Sequence, residues 1–151
     1  MEWRYAGFWI RVAASIVDSL ILFIPINGVN YLVFKLLNPG MSYWDTFTGS
    51  GFEDFSSWLT YETIRMIFGL MIGIFYYGFL TSKFGGTGGK LLFGLHVVGE
   101  DDEFISFARA IGRYFSYILS GFFFVGYIMV AFTKKKQGLH DLICNTYVIK
   151  E

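Results

Sequence analysis

Charged residues along this chain are clustered, and long apolar stretches lie between the clusters. Ser19 to Phe34, Met66 to Ser82 and Tyr114 to Thr133 hold no Asp, Glu, Lys, Arg or His, and the third stretch is the longest. Spanning about 30 Å of hydrocarbon takes roughly 20 residues of helix. The first stretch reaches that length when its helix starts near Phe8 and runs to about residue 36, with Lys35 snorkelling from the outer end. The second reaches it as a helix from about residue 61 to 82, with Glu62 and Arg65 at the interface. Pro25 removes a backbone donor and crowds the carbonyl of Ile21, which predicts a kink in the first helix.

Beyond the second stretch the pattern changes. Leu95 to Val98 and Phe104 to Phe107 are short β-prone runs around a Gly and acidic turn, which predicts a hairpin over residues 95–107. Asn145 to Ile149 is a third such run and predicts a C-terminal strand over residues 145–150. An isolated hairpin is marginal in water, so that strand should join it. The chain must then return to the same side after residue 107, which predicts a helical hairpin over about 108–133 turning near Ser120-Gly121. The expected fold class is all-α membrane: a small polytopic helical bundle with a short cytoplasmic β-hairpin or three-stranded β-element. Four membrane helices are favoured and three are the alternative. Residues 1–151 form one membrane domain in this reading, with an outer loop at 38–60.

Charge placement orients the bundle. Residues 38–60 carry Asp45, Glu53 and Asp54 and no Lys or Arg, whereas Arg4 and Arg11 precede the first uncharged stretch. Lys83, Lys90, Arg109 and Arg113 follow the second. The excess of Lys and Arg on cytoplasmic loops places both termini in the cytoplasm of a multi-pass cell-membrane protein. Trp3, Trp9, Trp44 and Trp58 suit the two interfaces. Composition agrees: 54% of the 151 residues are hydrophobic, 21% aromatic and only 16% charged, against about 25% charged in soluble domains. A net charge of zero gives no case for nucleic acid. The single Cys144 excludes an internal disulfide framework, and no small-residue cleavage site marks a signal peptide. Gly85-Gly86-Thr87-Gly88-Gly89-Lys90 lacks the order of a phosphate-binding loop, because Leu91 follows the lysine. It reads as a flexible juxtamembrane turn.

Several short motifs then fall into a familiar order. Tyr5-Ala6-Gly7-Phe8-Trp9 with Arg11, Ala14 and Asp18 opens it, and Thr87-Gly88-Gly89-Lys90 leads to Leu95-His96-Val97-Val98. Phe107, Ala110 and Arg113 follow, and Gln137-Gly138-Leu139-His140-Asp141 with Asn145-Thr146 and Val148 closes it. This set resembles the RDD family of bacterial integral membrane proteins, named for an Arg and two Asp residues. The resemblance carries those three onto Arg11, Asp18 and Asp141. It implies a membrane protein and, more loosely, transport of the cation-exchange kind.

A charge within hydrocarbon is expensive and usually has a partner. Arg11 and Asp18 lie on one helix face, yet helical side chains lean toward the N-terminus, so Arg11 points away from Asp18. Charge balance instead pairs Arg11 with Asp141 and Asp18 with Arg113. Two functional readings follow. One is a small cation or proton-coupled transporter, using Asp18, Asn27, Asn30, Arg113 and His140 as a pathway for monovalent cations or protons. Asn27 and Asn30, three apart, would offer amide oxygens beside the proline break, and His140 would exchange protons near neutral pH. The other is a non-transporting module that binds or scaffolds another membrane protein, with the charges serving architecture. Gly69 and Gly73 permit close helix packing, within the chain or in a homo-oligomer. No residue set suggests a metal site, a cofactor or a nucleophile with its base, so no enzyme is expected. The bilayer is the one partner that both readings share.

Overall fold

A computed structural model describes residues 4–48, 52, 54–123 and 125–150. The chain forms two compact units, Met1–Ile21 with Gly73–Glu151, and Leu22–Ile72.

The first unit is organised around a small antiparallel sheet. Strand β1 (Arg4–Tyr5) precedes helix α1 (Phe8–Leu37), β2 is Leu95–Val98 and β3 is Tyr147–Lys150. The sheet order is β1-β3-β2, with Tyr5 opposite Ile149 and Val97 opposite Val148. The inward positions of the strands, Leu95, Val97 and Val148, pack on Ala6, Ala14, Ile105 and Ala110 to make one apolar core. The C-terminal strand thus joins β2 as expected and also binds the N-terminal strand. The expected hairpin over 95–107 has only its first arm. Phe104 makes a single bridge to Val98, and helix α6 (Phe107–Phe123) starts where the second arm should run. Strand β3 pairs with one side of β2, and on the other side the Gly85 carbonyl accepts the Val97 N–H at 2.6 Å where a second arm would pair.

In the second unit, Phe34 is fully buried against the rings of Tyr43, Phe52 and Tyr61, at centroid distances of 5.7, 5.9 and 5.9 Å. These are edge-to-face contacts, the favoured aromatic geometry. The Lys35 ammonium donates to the Met41 carbonyl at 2.6 Å and so ties down the chain after α1. Helix α2 (Asp45–Thr48) is one turn. Helix α3 (Phe55–Gly73) begins about six residues before the expected start near residue 61, because the Asp54 carboxylate caps it by accepting the Ser57 N–H at 2.7 Å. Trp3 and Glu53 lie outside the described residues.

After Gly73 the helix changes pitch through a π-helical segment, Ile74–Phe79, and resumes as α4 (Leu80–Phe84). Helix α5 (Gly88–Leu92) follows. Two helical runs, Phe8–Leu37 and Phe55–Phe84, are each 30 residues and apolar enough to cross a membrane. Only 17% of the most apolar window is buried in either. Leu20, Phe23, Ile24, Leu32 and Leu36 of α1 are exposed. Helix α1 is continuous through Pro25. Helix α6 likewise runs through Ser120-Gly121, the expected turn, to Phe123. Helix α7 (Val125–Phe132) and the short α8 (Leu139–Ile143) complete the chain, and residue 124 lies outside the described residues.

Candidate functional site

Two carboxylates organise the first unit, and each is clasped in a different way. Asp141 occupies the third position of α8, where its carboxylate reaches back to accept the Gly138 N–H at 3.1 Å and so caps that helix. The same oxygen, Oδ2, accepts from Arg11 Nη1 at 2.5 Å, and Oδ1 lies 2.7 Å from Arg113 Nη1. Asp141 has no exposed surface, and Arg113 is only 2% exposed. The pair of Arg11 with Asp141 anticipated from charge balance is present. Arg11 also donates from Nε to the Ala6 carbonyl at 3.1 Å and from Nη2 to the Lys136 carbonyl at 2.6 Å. One guanidinium therefore ties the start of α1, the turn after α7 and α8 together. Arg113 reaches further partners, the Thr146 hydroxyl and the Tyr117 hydroxyl, the latter at 3.2 Å.

Burial by itself would raise the Asp141 pKa, but the guanidiniums of Arg113 and Arg11 overcome it and hold the carboxyl well below its ordinary range. His140 behaves oppositely. Burial, reinforced by Arg113, Lys90 and Arg11, pushes it down to about 3 against the pull of Asp141. Its ring lies against Tyr117 with centroids 4.1 Å apart. The imidazole is neutral at physiological pH, and the expected proton exchange near neutrality does not fit that environment.

Asp18 does not meet Arg113. Its Oδ1 accepts from the Tyr76 hydroxyl at 2.7 Å and the Gly89 N–H at 2.6 Å, and its Oδ2 accepts from the Thr87 hydroxyl at 2.6 Å. All three donors are neutral, and Asp18 is 1% exposed. Thr87 is extended and fully buried at the start of α5. Gly89 is indispensable for this approach, because a Cβ there would overlap the Ala14 carbonyl and the Asp18 carboxylate. The glycine-dense segment is thus a docked turn and not a flexible connector. The π-helical segment contributes Tyr76, whose phase a regular helix would not give.

Lys90 completes the arrangement. It is 6% exposed and donates to the Tyr117 hydroxyl at 3.0 Å. Asn27 and Asn30 take no part in it. Asn27 is exposed and donates back to the Phe23 carbonyl at 2.8 Å, while Asn30 is buried in the second unit, beside a space lined by Ile26, Glu62 and Arg65. They do not converge on one site. Of the residues around the carboxylates, Tyr76, Thr87, Gly89, Lys90 and Tyr117 were not singled out from the sequence as site residues. The lone Asp18 facing a Thr-Gly-Gly-Lys turn is the signal that would have found three of them.

The RDD family model matches residues 5–145, a span that includes Arg11, Asp18, the Thr87–Lys90 turn and Asp141. The chain belongs to the RDD family. Relatives in Bacillus subtilis (strain 168) extend the match to nearly the whole chain. "Uncharacterized protein YxaI" is 41% identical over 150 residues, covering 95% of this chain and 96% of that protein. "Uncharacterized membrane protein YteJ" is 33% identical over 153 residues, covering 97% and 82%. "Uncharacterized protein YckC" is 26% identical over 154 residues, covering 97% and 85%. No solved structure matches significantly. Within the matched span, Arg11 and Asp141 share one buried cluster, and Asp18 holds the glycine turn.

Proposed function

We propose that this RDD protein is a multi-pass cell-membrane module that acts by binding, and that its charged residues hold the fold and do not carry an ion. The relative YteJ is named as a membrane protein, which supports the location. So do two 30-residue apolar helices with exposed Leu, Ile and Phe. At 1.5 Å per residue each helix is about 45 Å long, more than the roughly 30 Å of hydrocarbon. The uncharged part of α1 runs from Ser19 to Phe34, so Asp18 belongs at a membrane boundary and not at mid-depth.

Strands from both ends of the chain pair in one sheet, which supports an even number of crossings and both termini on one side. The charge pattern makes that side cytoplasmic. The chain leaves the buried charges at Arg113 and is back beside Arg11 by Lys136. From Arg113 to the end of α6 is about 15 Å at 1.5 Å per residue, half of the hydrocarbon thickness. Two full crossings with a re-entrant α6–α7 pair fit these lengths better than four full crossings.

The observation that carries the functional reading is the occupancy of the carboxylates. Asp18 accepts three protein donors, and Asp141 meets two guanidiniums and a backbone N–H. The buried ionisable set has three cations, Arg11, Lys90 and Arg113, against two carboxylates, Asp18 and Asp141, with His140 neutral. A net positive cluster repels a passing cation. Proteoliposomes carrying a pH-sensitive dye test this reading under sodium and potassium gradients. No cation-dependent proton flux above empty vesicles is expected. A flux abolished in folded Asp18→Asn would instead establish the transporter reading.

A further inference from the structure

The first unit contains a cavity of about 370 Å³ beside the opening turns of α1. Phe8, Val12, Ile16 and Val130 are apolar residues of its lining, and Lys90 lines it with Arg11 and His140. Ile16 is 57% exposed, so the cavity opens to the surface along α1. A second space of about 310 Å³ also borders Lys90 and reaches Asp18.

Lys90 is the buried cation of the unit that no carboxylate offsets. Arg11 and Arg113 share Asp141, and the oxygens of Asp18 are taken by hydroxyls and a backbone N–H. Among the described residues no carboxylate lies within ion-pair distance of the Lys90 ammonium, which donates to one neutral hydroxyl. An ammonium offers three N–H donors. A buried cation with a neutral partner is costly unless an anion reaches it. The cavity sets Lys90 among apolar lining residues.

We propose that this cavity binds one anionic phospholipid, its headgroup phosphate on Lys90 and an acyl chain along Phe8, Val12, Ile16 and Val130. The charge of the phosphate complements the one surplus cation of the buried set. A zwitterionic lipid brings its own ammonium into a positive cavity, and inorganic phosphate leaves the apolar lining unused. The inference stands whether or not the protein moves an ion, so a positive flux assay would leave it intact.

Thermal unfolding and native mass spectrometry of the full chain in a neutral maltoside test the proposal. Phosphatidylglycerol, phosphatidylcholine and inorganic phosphate are added separately. Phosphatidylglycerol should raise Tm by several degrees and remain bound in the spectrometer, while the other two leave Tm within a degree. Lys90→Met should lose at least ten-fold in phosphatidylglycerol affinity. Ile16→Trp, which fills the mouth of the cavity and leaves every charge in place, should weaken it comparably, so a poorly folded Lys90→Met would not decide the result alone. Equal stabilisation by phosphatidylcholine would overturn the proposal. So would a full effect of phosphate alone, which marks a soluble-anion site, or an undiminished preference in both variants.

Discussion

Asp141 and Asp18 are both buried acids, yet the groups around them make their removal unequal. Neutralising Asp141 leaves two guanidiniums facing each other without a counter-charge, and breaking such a buried pair costs about 3–5 kcal/mol. Asp18 accepts from neutral donors, two of which are hydroxyls that can rotate, so Asp18→Asn should cost about 1–3 kcal/mol. Chemical denaturation in mixed micelles should therefore rank Asp141→Asn below Asp18→Asn in stability, and the reverse order would contradict the observed partners. His140 adds a pH dependence with a definite sign. Its folded pKa of about 3 lies below the unfolded value of 6.5, so the unfolded chain binds the extra proton between them. Stability from this group is intact above pH 6.5 and falls toward pH 3, with a limiting slope of about 1.4 kcal/mol per pH unit. Asp141 adds its loss only below its unfolded value of 3.8. His140→Phe keeps a ring against Tyr117 and should flatten the unfolding profile between pH 6 and about pH 4. Of these contacts, the Arg11–Asp141 pair was legible in the sequence, because opposite charges flanking apolar stretches must find one another. The partners of Asp18 were not, because hydroxyls and a backbone N–H leave no charge signature.

Among the elements, the glycine turn and the helix that bears Asp18 depend on each other most directly. A methyl group at Gly89 meets backbone on one side and the Asp18 carboxylate on the other, so no flexible side chain can yield. Gly89→Ala should undock α5 and cost more than about 2 kcal/mol, comparable to overpacking elsewhere in protein cores. Gly69→Ala is the control. Nothing lies within 4 Å of a Cβ there, so a helix-favouring residue should leave stability unchanged or raise it by up to about 1 kcal/mol. Unfolding midpoints of the two variants make the comparison, and a loss at Gly69 would point to a helix seated on it from another chain. Gly73 already has an occupant within the first unit, because its missing side chain admits the Tyr114 ring. The long helices and the C-terminal strand were legible as hydrophobic stretches and a β-prone run. The π-helical segment was not, since Ile74–Phe79 carries no residue that distinguishes it from an ordinary helix. The hairpin expected over 95–107 failed for a related reason. Local β propensity could not register that the Gly85 carbonyl takes the Val97 N–H on the side of β2 away from β3, a contact made by the docked glycine turn.

At the scale of the whole molecule, the decisive constraint is that Arg4 and Tyr5 pair with Lys150 and Ile149. Backbone ladders do not form across a bilayer, so in the topology proposed above both termini lie on one side of it. Hydropathy alone left three or four membrane helices open, because Tyr114 to Thr133 is long enough for one crossing. One crossing there would separate β2 from β3, and those strands are paired along Leu95 to Val98. The expected outcome is that a green fluorescent protein fused at either terminus fluoresces, and that alkaline phosphatase fused at either terminus stays inactive. Termini that report on opposite sides would rule out the sheet. A second measurement separates a re-entrant α6–α7 pair from two full crossings. In a Cys144→Ser background, Phe123→Cys lies about 15 Å beyond Arg113 along α6, at mid-depth in a hydrocarbon layer of roughly 30 Å. A membrane-impermeant maleimide added outside intact cells should leave it unlabelled. Efficient labelling would mean that α6 emerges on the far side. The buried cluster of Arg11, Arg113 and Asp141 would then anchor a complete transmembrane hairpin, and its arms would need tilt or bilayer thinning to match the membrane.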